Sequence, residues 1–332
     1  MPGLERTVNH TQAVQAVLGT HLHTCRSRLI AGLADTADGA LIAEYFERCK
    51  MIRARLVFAS TAAVGGDPAR ATFAAEAVEL VHGASLFHDD LIDGADQRRG
   101  LPALHCRVPP SEAILLGDFL LMRAFDILCR SREAVYSSGQ VIDAVQVLSA
   151  QSQLCCRGQR LEIEFSGRLV SDTDYFAIVE DKTSALFIAA TALGGIMGNG
   201  SEEDCAALTV YSRHLGVAFQ ICDDMLDLLG NEGTLGKPVG NSFAHWRPLL
   251  PVVYLSSYGS LPARKEWVER CASGCSYREL LPILHREGII ERIADTQASY
   301  VTTAVASLEG MPDGDGLRAL IELPASILTA WR

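Results

Sequence analysis

Between Pro110 and Pro238 the chain runs for 127 residues without a proline. Proline removes a backbone donor and clashes with the preceding helical turn, so long helices are permitted in this interval and little else is demanded of it. Apolar residues recur there at helical spacing: Ile114, Leu115, Phe119, Met122, Phe125 and Ile127, then Val141, Val145 and Leu148, then Phe176, Ile178, Leu186, Ile188 and Leu193. Alternating strand patterns of useful length are absent. Aromatic residues make up only 7% of the chain, and Ala and Leu lead the apolar set, which suits helix packing better than a β-sandwich. The spacing predicts helices near 9–33, 39–64, 70–93, 111–131, 139–166, 173–198, 203–229, 247–257, 263–272, 276–287 and 289–330, the last broken around 311–316. Asp67-Pro68 and Pro109-Pro110-Ser111 mark helix starts, with Ser111 as a cap. No repeat period and no Gly/Ser or Pro linker divides the 332 residues, so one all-α domain over 1–332 is expected.

Net charge is −11, which excludes a surface built to neutralise nucleic-acid phosphates with clustered bases. Ten cysteines in a chain this long, behind an N-terminus (MPGLERTVNHTQ) without an apolar leader, read as free thiols in a reducing, cytoplasmic setting. Cys155-Cys156 and the pair Cys271 and Cys275 lack partners at zinc-site spacing. The longest uncharged apolar stretch, 185–198, is too short and too rich in glycine to span a bilayer.

The acids are not spread evenly. Asp89-Asp90-Leu91-Ile92-Asp93 closes one apolar helical segment, and Asp223-Asp224-Met225-Leu226-Asp227 closes another. Within each motif the first and last Asp are i,i+4 neighbours that repel, and both motifs sit at the helix end where the macrodipole opposes negative charge. Such placement calls for a compensating cation. Mg2+ fits, because it takes hard oxygen ligands, one or two carboxylates at a time, and completes its octahedron with phosphate oxygens and water.

These motifs, with Arg98-Arg99-Gly100, Gly117-Asp118, Gly158-Gln159, Lys182-Thr183-Ser184, Phe219-Gln220 and Gly236-Lys237-Pro238-Val239-Gly240, run in order from about Lys50 to Pro251. In that order they closely resemble the trans-isoprenyl diphosphate synthase family. The resemblance implies a helical bundle around a deep central cavity, with the two acidic motifs facing each other across its mouth. It implies that Asp89, Asp93 and Asp223, helped by Asp90, Asp224 and Asp227, hold Mg2+, three ions together with an allylic diphosphate. Lys50, Arg53, His82 and Arg99 match the family's isopentenyl diphosphate site. Arg98, Lys182, Thr183, Gln220 and Lys237 match its allylic diphosphate site, with Lys182 placed in the catalytic set beside Asp89, Asp93 and Asp223. A homodimer is implied as well.

The family usually has Gly-Gly before that Lys and Pro after that Arg; here Arg48-Cys49 and Ala54 stand there. Ser242 and Arg247 stand where a carboxylate and a Lys are usual, which touches the metal's outer shell. Product length follows from helical geometry, since one turn advances about 5.4 Å, close to an isoprene unit. Below Asp89 the positions Ser85, Ala84 and Val81 are small, so an open floor and a C20 product, geranylgeranyl diphosphate, are expected, with a longer polyprenyl diphosphate as the alternative. Phe119, Met122 and Phe125 are candidates to close the cavity lower down. Two other readings stay open at this point, a class I terpene cyclase and a non-catalytic subunit of a heteromeric synthase.

Overall fold

A computed structural model describes residues 3–34, 36, 38–134, 136–229, 247–272 and 277–328. Its helices are α1 (Gly3–Leu33), α2 (Gly39–Glu47), α3 (Ile52–Ala63), α4 (Thr72–Asp93), α5 (Pro110–Ala134), α6 (Ser138–Phe165), α7 (Asp172–Val179), α8 (Ala185–Met197), α9 (Glu202–Leu229), α10 (Leu250–Tyr258), α11 (Leu261–Ala272), α12 (Leu281–Arg286), α13 (Ile289–Ala306) and α14 (Asp315–Ile327). The all-α expectation holds. The one sheet among the described residues is a two-residue hairpin, β1 (Gln97–Arg98) against β2 (Leu101–Pro102), turned by Arg99 and Gly100, both with positive φ.

Local chemistry sets several starts. Asp67 accepts from the Ala69 amide at 2.9 Å and leads through a 3-10 turn into α4. Ser137 and Gln140 form a reciprocal capping box on α6, and Ser171 caps α7. Ser111 lies inside α5, which starts a residue earlier at Pro110, so it is not the cap.

Two expected helices are divided. The predicted 39–64 helix is α2 and α3, separated at Met51, which takes a left-handed conformation (φ 54°, ψ 40°). That conformation costs about 1–2 kcal/mol for a residue with a Cβ; burial of the Met51 side chain, 2% exposed, is worth a comparable amount. The predicted 173–198 helix is α7 and α8, joined by a π turn over Glu180–Ser184.

α8 is buried along most of its surface, with α3, α4, α6 and α9 packed round it and only the stripe Ile188, Ala192 and Ile196 partly open. One apolar cluster joins α1–α6, α8, the first half of α9, the end of α13 and α14; a second joins α7, the second half of α9, α10–α12 and the start of α13. α9 belongs to both, giving Leu208, Tyr211 and Leu215 to the first and Val217, Ile221 and Met225 to the second. Its N-terminal half is thereby fixed in the first cluster and its C-terminal half in the second.

The π turn is held by two glycines from opposite sides. A Cβ on Gly158 of α6 would lie 2.4 Å from the Lys182 backbone nitrogen, and one on Gly216 of α9 would lie 2.6 Å from Ser184 Cα. Gly216→Ala is expected to cost about 1–3 kcal/mol by overpacking backbone against backbone, whereas Gly19→Ala, with open space round its Cβ, should gain about 0.5–1 kcal/mol from helix propensity. Urea unfolding of the two variants measures both shifts; a stable Gly216→Ala protein would contradict the close approach.

Candidate active site

A cavity of about 850 Å3 opens among α4, α6, the π turn and α9. α4 presents Asp89 and Asp93 to it, α9 presents Asp223 and Asp224, and the π turn presents Lys182 and Thr183 as consecutive side chains on one wall. π turns of this kind are concentrated at functional sites, where they re-aim side chains. The same lining includes apolar Leu86, Ile178, Val179, Leu186 and Phe219.

Each wall is set by charge. Asp90 is fully buried and is held by Arg98, whose Nε donates to its two oxygens at 2.9 and 3.2 Å and whose Nη2 makes a further contact. The β-hairpin puts Arg98 there. Burial pulls the Arg98 guanidinium down, but hydrogen bonding to Asp90 and the charges of Asp90, Asp89 and Asp223 outweigh it and leave it raised. One guanidinium therefore feels acids from both α4 and α9. Lys182 Nζ donates to Glu162 Oε2 at 2.5 Å and stands 4.0 Å from Asp89 Oδ2. Burial lifts the Asp89 carboxyl to about 6; Lys182 opposes the shift, and the charges of Asp93 and Glu162 add to it. Arg247 forms an ion pair with Asp93.

On the α9 side Asp224 is tied from three directions. It accepts from Tyr175 Oη at 2.6 Å, from Gln220 Nε2 at 2.8 Å and from the Leu250 amide at 3.0 Å. Thr183 Oγ1 donates to Gln220 Oε1 at 2.7 Å, so the chain of bonds runs from the π turn through α9 to α7 and α10. Burial lifts the Asp224 carboxyl to about 7 against these donors.

The second cationic group lies where α3 meets α4. Arg53 is 8% exposed, its guanidinium sits 5.3 Å from the Phe187 ring, and its Nε has no hydrogen-bond partner. His82 also lines the cavity; burial, then the charges of Arg53, Arg99 and Arg98, hold it well below its ordinary value, so it is a neutral imidazole. Arg99 lies behind this wall, reaching the Tyr45 carbonyl at 3.4 Å and touching Cys49 Sγ. Lys50 is exposed and outside the cavity lining.

Of the residues predicted from sequence, the cavity wall brings together Asp89, Asp93, Asp223, Asp224, Arg53, His82, Arg98, Lys182, Thr183, Gln220 and Ser85. Asp90, Asp227, Arg99, Lys50, Ala84 and Val81 do not line it; Ala84 and Val81 are packed into the first apolar cluster. Lys237 and Ser242 fall outside the described residues. Phe119 and Met122 are 37% and 61% exposed and Phe125 packs on the first cluster away from the cavity, so none of the three closes it.

Glu162 and Tyr175 were not expected. Glu162 lies one turn after Gly158 on the same face of α6, a spacing that points it at the π turn; Tyr175 carries no local signal, since only the fold brings it to Asp224. Gln159 also lines the cavity with both amide atoms buried and without hydrogen-bond partners.

The donor set fits a hard divalent cation. Asp89, Asp93 and Asp223 offer oxygen ligands alone, and the cost of burying Asp89 is what a bound cation would relieve. Among the described residues no three His, Cys, Asp or Glu side chains stand close enough to hold an ion by themselves.

Fold and cavity together define a helical isoprenoid synthase. The polyprenyl synthetase family pattern matches residues 39–273. A short chain isoprenyl diphosphate synthase from Methanothermobacter thermautotrophicus is 38% identical over 282 residues, covering 84% of this chain and 86% of that protein. A geranylgeranyl diphosphate synthase from Saccharolobus solfataricus is 30% identical over 277 residues, covering 79% and 80%; an octaprenyl diphosphate synthase is also among the relatives. A polyprenyl synthase from Caulobacter crescentus, solved with calcium and isoprenyl diphosphate, superposes with a TM-score of 0.86 at 28% identity over 96% of this chain and 97% of that one. The chain belongs to the trans-isoprenyl diphosphate synthases, the polyprenyl synthetase family, and is a trans-prenyltransferase. No described helix is long and apolar enough to cross a membrane.

Asp89→Asn removes one buried charge from a crowded wall. The metal-free variant is expected to be more stable than wild type by roughly 1 kcal/mol, and prenyl transfer should fall at least about 10²-fold. Thermal unfolding and turnover measured on one preparation separate the two effects; unchanged turnover would contradict a part for Asp89 in the reaction.

Proposed function

We propose that the protein joins isopentenyl diphosphate to an allylic diphosphate (dimethylallyl, geranyl or farnesyl) by head-to-tail 1′-4 condensation and releases geranylgeranyl diphosphate. The observation that carries this reading is the presence of two anion-binding groups, Arg98 with Lys182 and Arg53 with the neutral His82, in one cavity whose lining also carries acidic and apolar side chains. Two diphosphates and one hydrocarbon chain need that combination.

In this reading Arg98, Lys182, Thr183 and Gln220, with Lys237, hold the allylic diphosphate, and Arg53 and His82 hold isopentenyl diphosphate at the cavity wall; Lys50 and Arg99, which do not line the cavity, are assigned to the same pole by the family pattern alone. Asp89, Asp93 and Asp223 hold Mg2+, which supplies Lewis acidity and counter-charge to the departing diphosphate. Asp90 and Asp224 act one step back: Asp90 orients Arg98, and Asp224 orients Gln220 and, through it, Thr183. Arg guanidinia suit bidentate oxygen contacts, and a neutral His82 can donate one N–H without adding charge. The apolar lining excludes water, which would otherwise capture the allylic cation as an alcohol. The proton lost on closing the new double bond passes to the released diphosphate.

A C20 product is supported by Ser85 on the cavity wall, with small Ala84 and Val81 behind it, and by relatives named as geranylgeranyl and short chain synthases. The same open wall favours a longer polyprenyl product as the second reading. The uninterrupted Asp223–Asp227 motif opposes a cyclase, and two intact acidic motifs oppose a non-catalytic subunit. Exposed Leu115, Phe119 and Met122 lie along one face of α5 at i, i+4 and i+7, which supports a homodimer formed across that helix. Free thiols at the described cysteines suit a cytoplasmic protein folded as one domain.

Radiolabelled isopentenyl diphosphate with farnesyl diphosphate and Mg2+ should give a labelled product that migrates as C20 after dephosphorylation. No incorporation would overturn the synthase reading, and hydrocarbon from the allylic substrate alone would replace it with a cyclase. Ser85→Phe should shorten the product by one isoprene unit or more; an unchanged chain length would place the limiting contact elsewhere.

A further inference from the structure

α3 starts without a capping side chain of its own. Met51, just before it, is left-handed and makes no side-chain cap, so the free amides of the first turn need an acceptor from elsewhere. Glu79 of α4 supplies it. Its Oε1 accepts from the Ala54 amide at 2.9 Å, and its carboxylate also takes the Arg53 backbone N–H. The side chain is 1% exposed and does not line the cavity.

A lone carboxylate on the buried face of a helix is expensive unless it is paired and hydrogen-bonded. Here the hydrogen bonds come from the backbone amides that open α3, and the charges of Arg53 and Arg99 lie nearby. Burial pushes the Glu79 carboxyl up, and the Arg53 charge, the two amides and Arg99 pull against it. Arg53 in turn reaches the cavity with its Nε free of hydrogen bonds, braced on one side by Phe187. Glu79 is one turn before His82, so a single stretch of α4 presents the imidazole and fixes the neighbouring helix that presents the guanidinium. The other cationic group is anchored independently, Arg98 by Asp90 and Lys182 by Glu162.

We infer that Glu79 is the positioning residue of the isopentenyl diphosphate pole: by capping the first turn of α3, the turn that carries Arg53, it holds that guanidinium at the cavity wall without touching substrate. The inference rests on the proposed function for the identity of the ligand, and it restricts the effect to one of the two diphosphates. A Glu79→Gln side chain keeps the shape and one acceptor oxygen but loses the charge and turns an NH2 towards the amide donors, so the first turn of α3, with Arg53 on it, loses its anchor.

Two measurements on the full chain test it. In steady-state kinetics Glu79→Gln should raise the KM for isopentenyl diphosphate about tenfold, the scale of one weakened charge-assisted contact, while kcat and the KM for the allylic diphosphate stay within about twofold. A purely structural role would lower the active fraction, and with it kcat, and leave both KM values alone; that outcome, or a parallel rise in both KM values, overturns the inference. Calorimetry with isopentenyl diphosphate and no allylic substrate gives the second readout. Wild type should bind it and Glu79→Gln should bind about tenfold more weakly. Binding equal to wild type overturns the role of Glu79, whereas a wild type that fails to bind isopentenyl diphosphate overturns the functional reading itself. Should Glu79→Gln not fold, Phe187→Leu, which loosens the other brace on Arg53, is expected to give the same selective rise, and an unchanged KM there counts against the inference.

Discussion

Charge recessed from water is the constraint on which this structure turns. Carboxylates that leave bulk solvent for a helix-walled cavity lose hydration worth several kcal/mol each unless cations or donors replace it. The chain answers almost every such acid with a named partner: Asp90 with Arg98, Glu162 with Lys182, Asp93 with Arg247, Asp224 with Tyr175, Gln220 and the Leu250 amide, Glu79 with the backbone amides that open α3. Asp89 is answered least, with Lys182 at 4.0 Å and a carboxyl lifted to about 6. The wall is therefore built for additional positive charge. The fold serves this end by clamping the C-terminal halves of α4 and α9 in separate packing environments, so that neither can drift to relieve the repulsion.

Most of the architecture is legible in the sequence, because long proline-free runs with helical apolar spacing leave few alternatives. What was missed has three-dimensional causes. The break between α2 and α3 falls in Arg48-Cys49-Lys50-Met51, which contains neither Gly nor Pro; Met51 adopts a left-handed backbone because its side chain is buried and Glu79, distant in sequence, accepts the amides that follow. The π turn at Glu180–Ser184 looks helical in sequence, and its departure comes with the close approach of Gly158 and Gly216 from two other helices.

The candidate site divides in the same way. Asp89, Asp93 and Asp223 announce themselves, because acids crowded at helix C-termini contradict local electrostatics. Asp90 and Asp224 share that signal, but in the structure they serve neighbours, one holding Arg98 and the other tying α9 to α7 and α10. Helical periodicity alone separates these roles poorly, since adjacent residues differ by about 100° and the partner decides which one faces the cavity. Glu79 and Tyr175 carry no motif at all; each is recognised only when the helix it supports is in place. Phe119 and Met122 show the opposite error, apolar residues at core-like spacing that the fold leaves on the outside of α5.

The central claim is that α4 and α9 act on one shared set of cations and diphosphate. It is tested most directly by a double-mutant cycle on the affinity for inorganic diphosphate in saturating Mg2+, using Asp89→Asn, Asp223→Asn and the pair. If the two walls share the cations, either substitution removes most of the Mg2+-dependent binding and the double variant loses little more, a coupling of about 1–3 kcal/mol. Losses that simply add would mean that the two acidic motifs bind independently and would contradict the account.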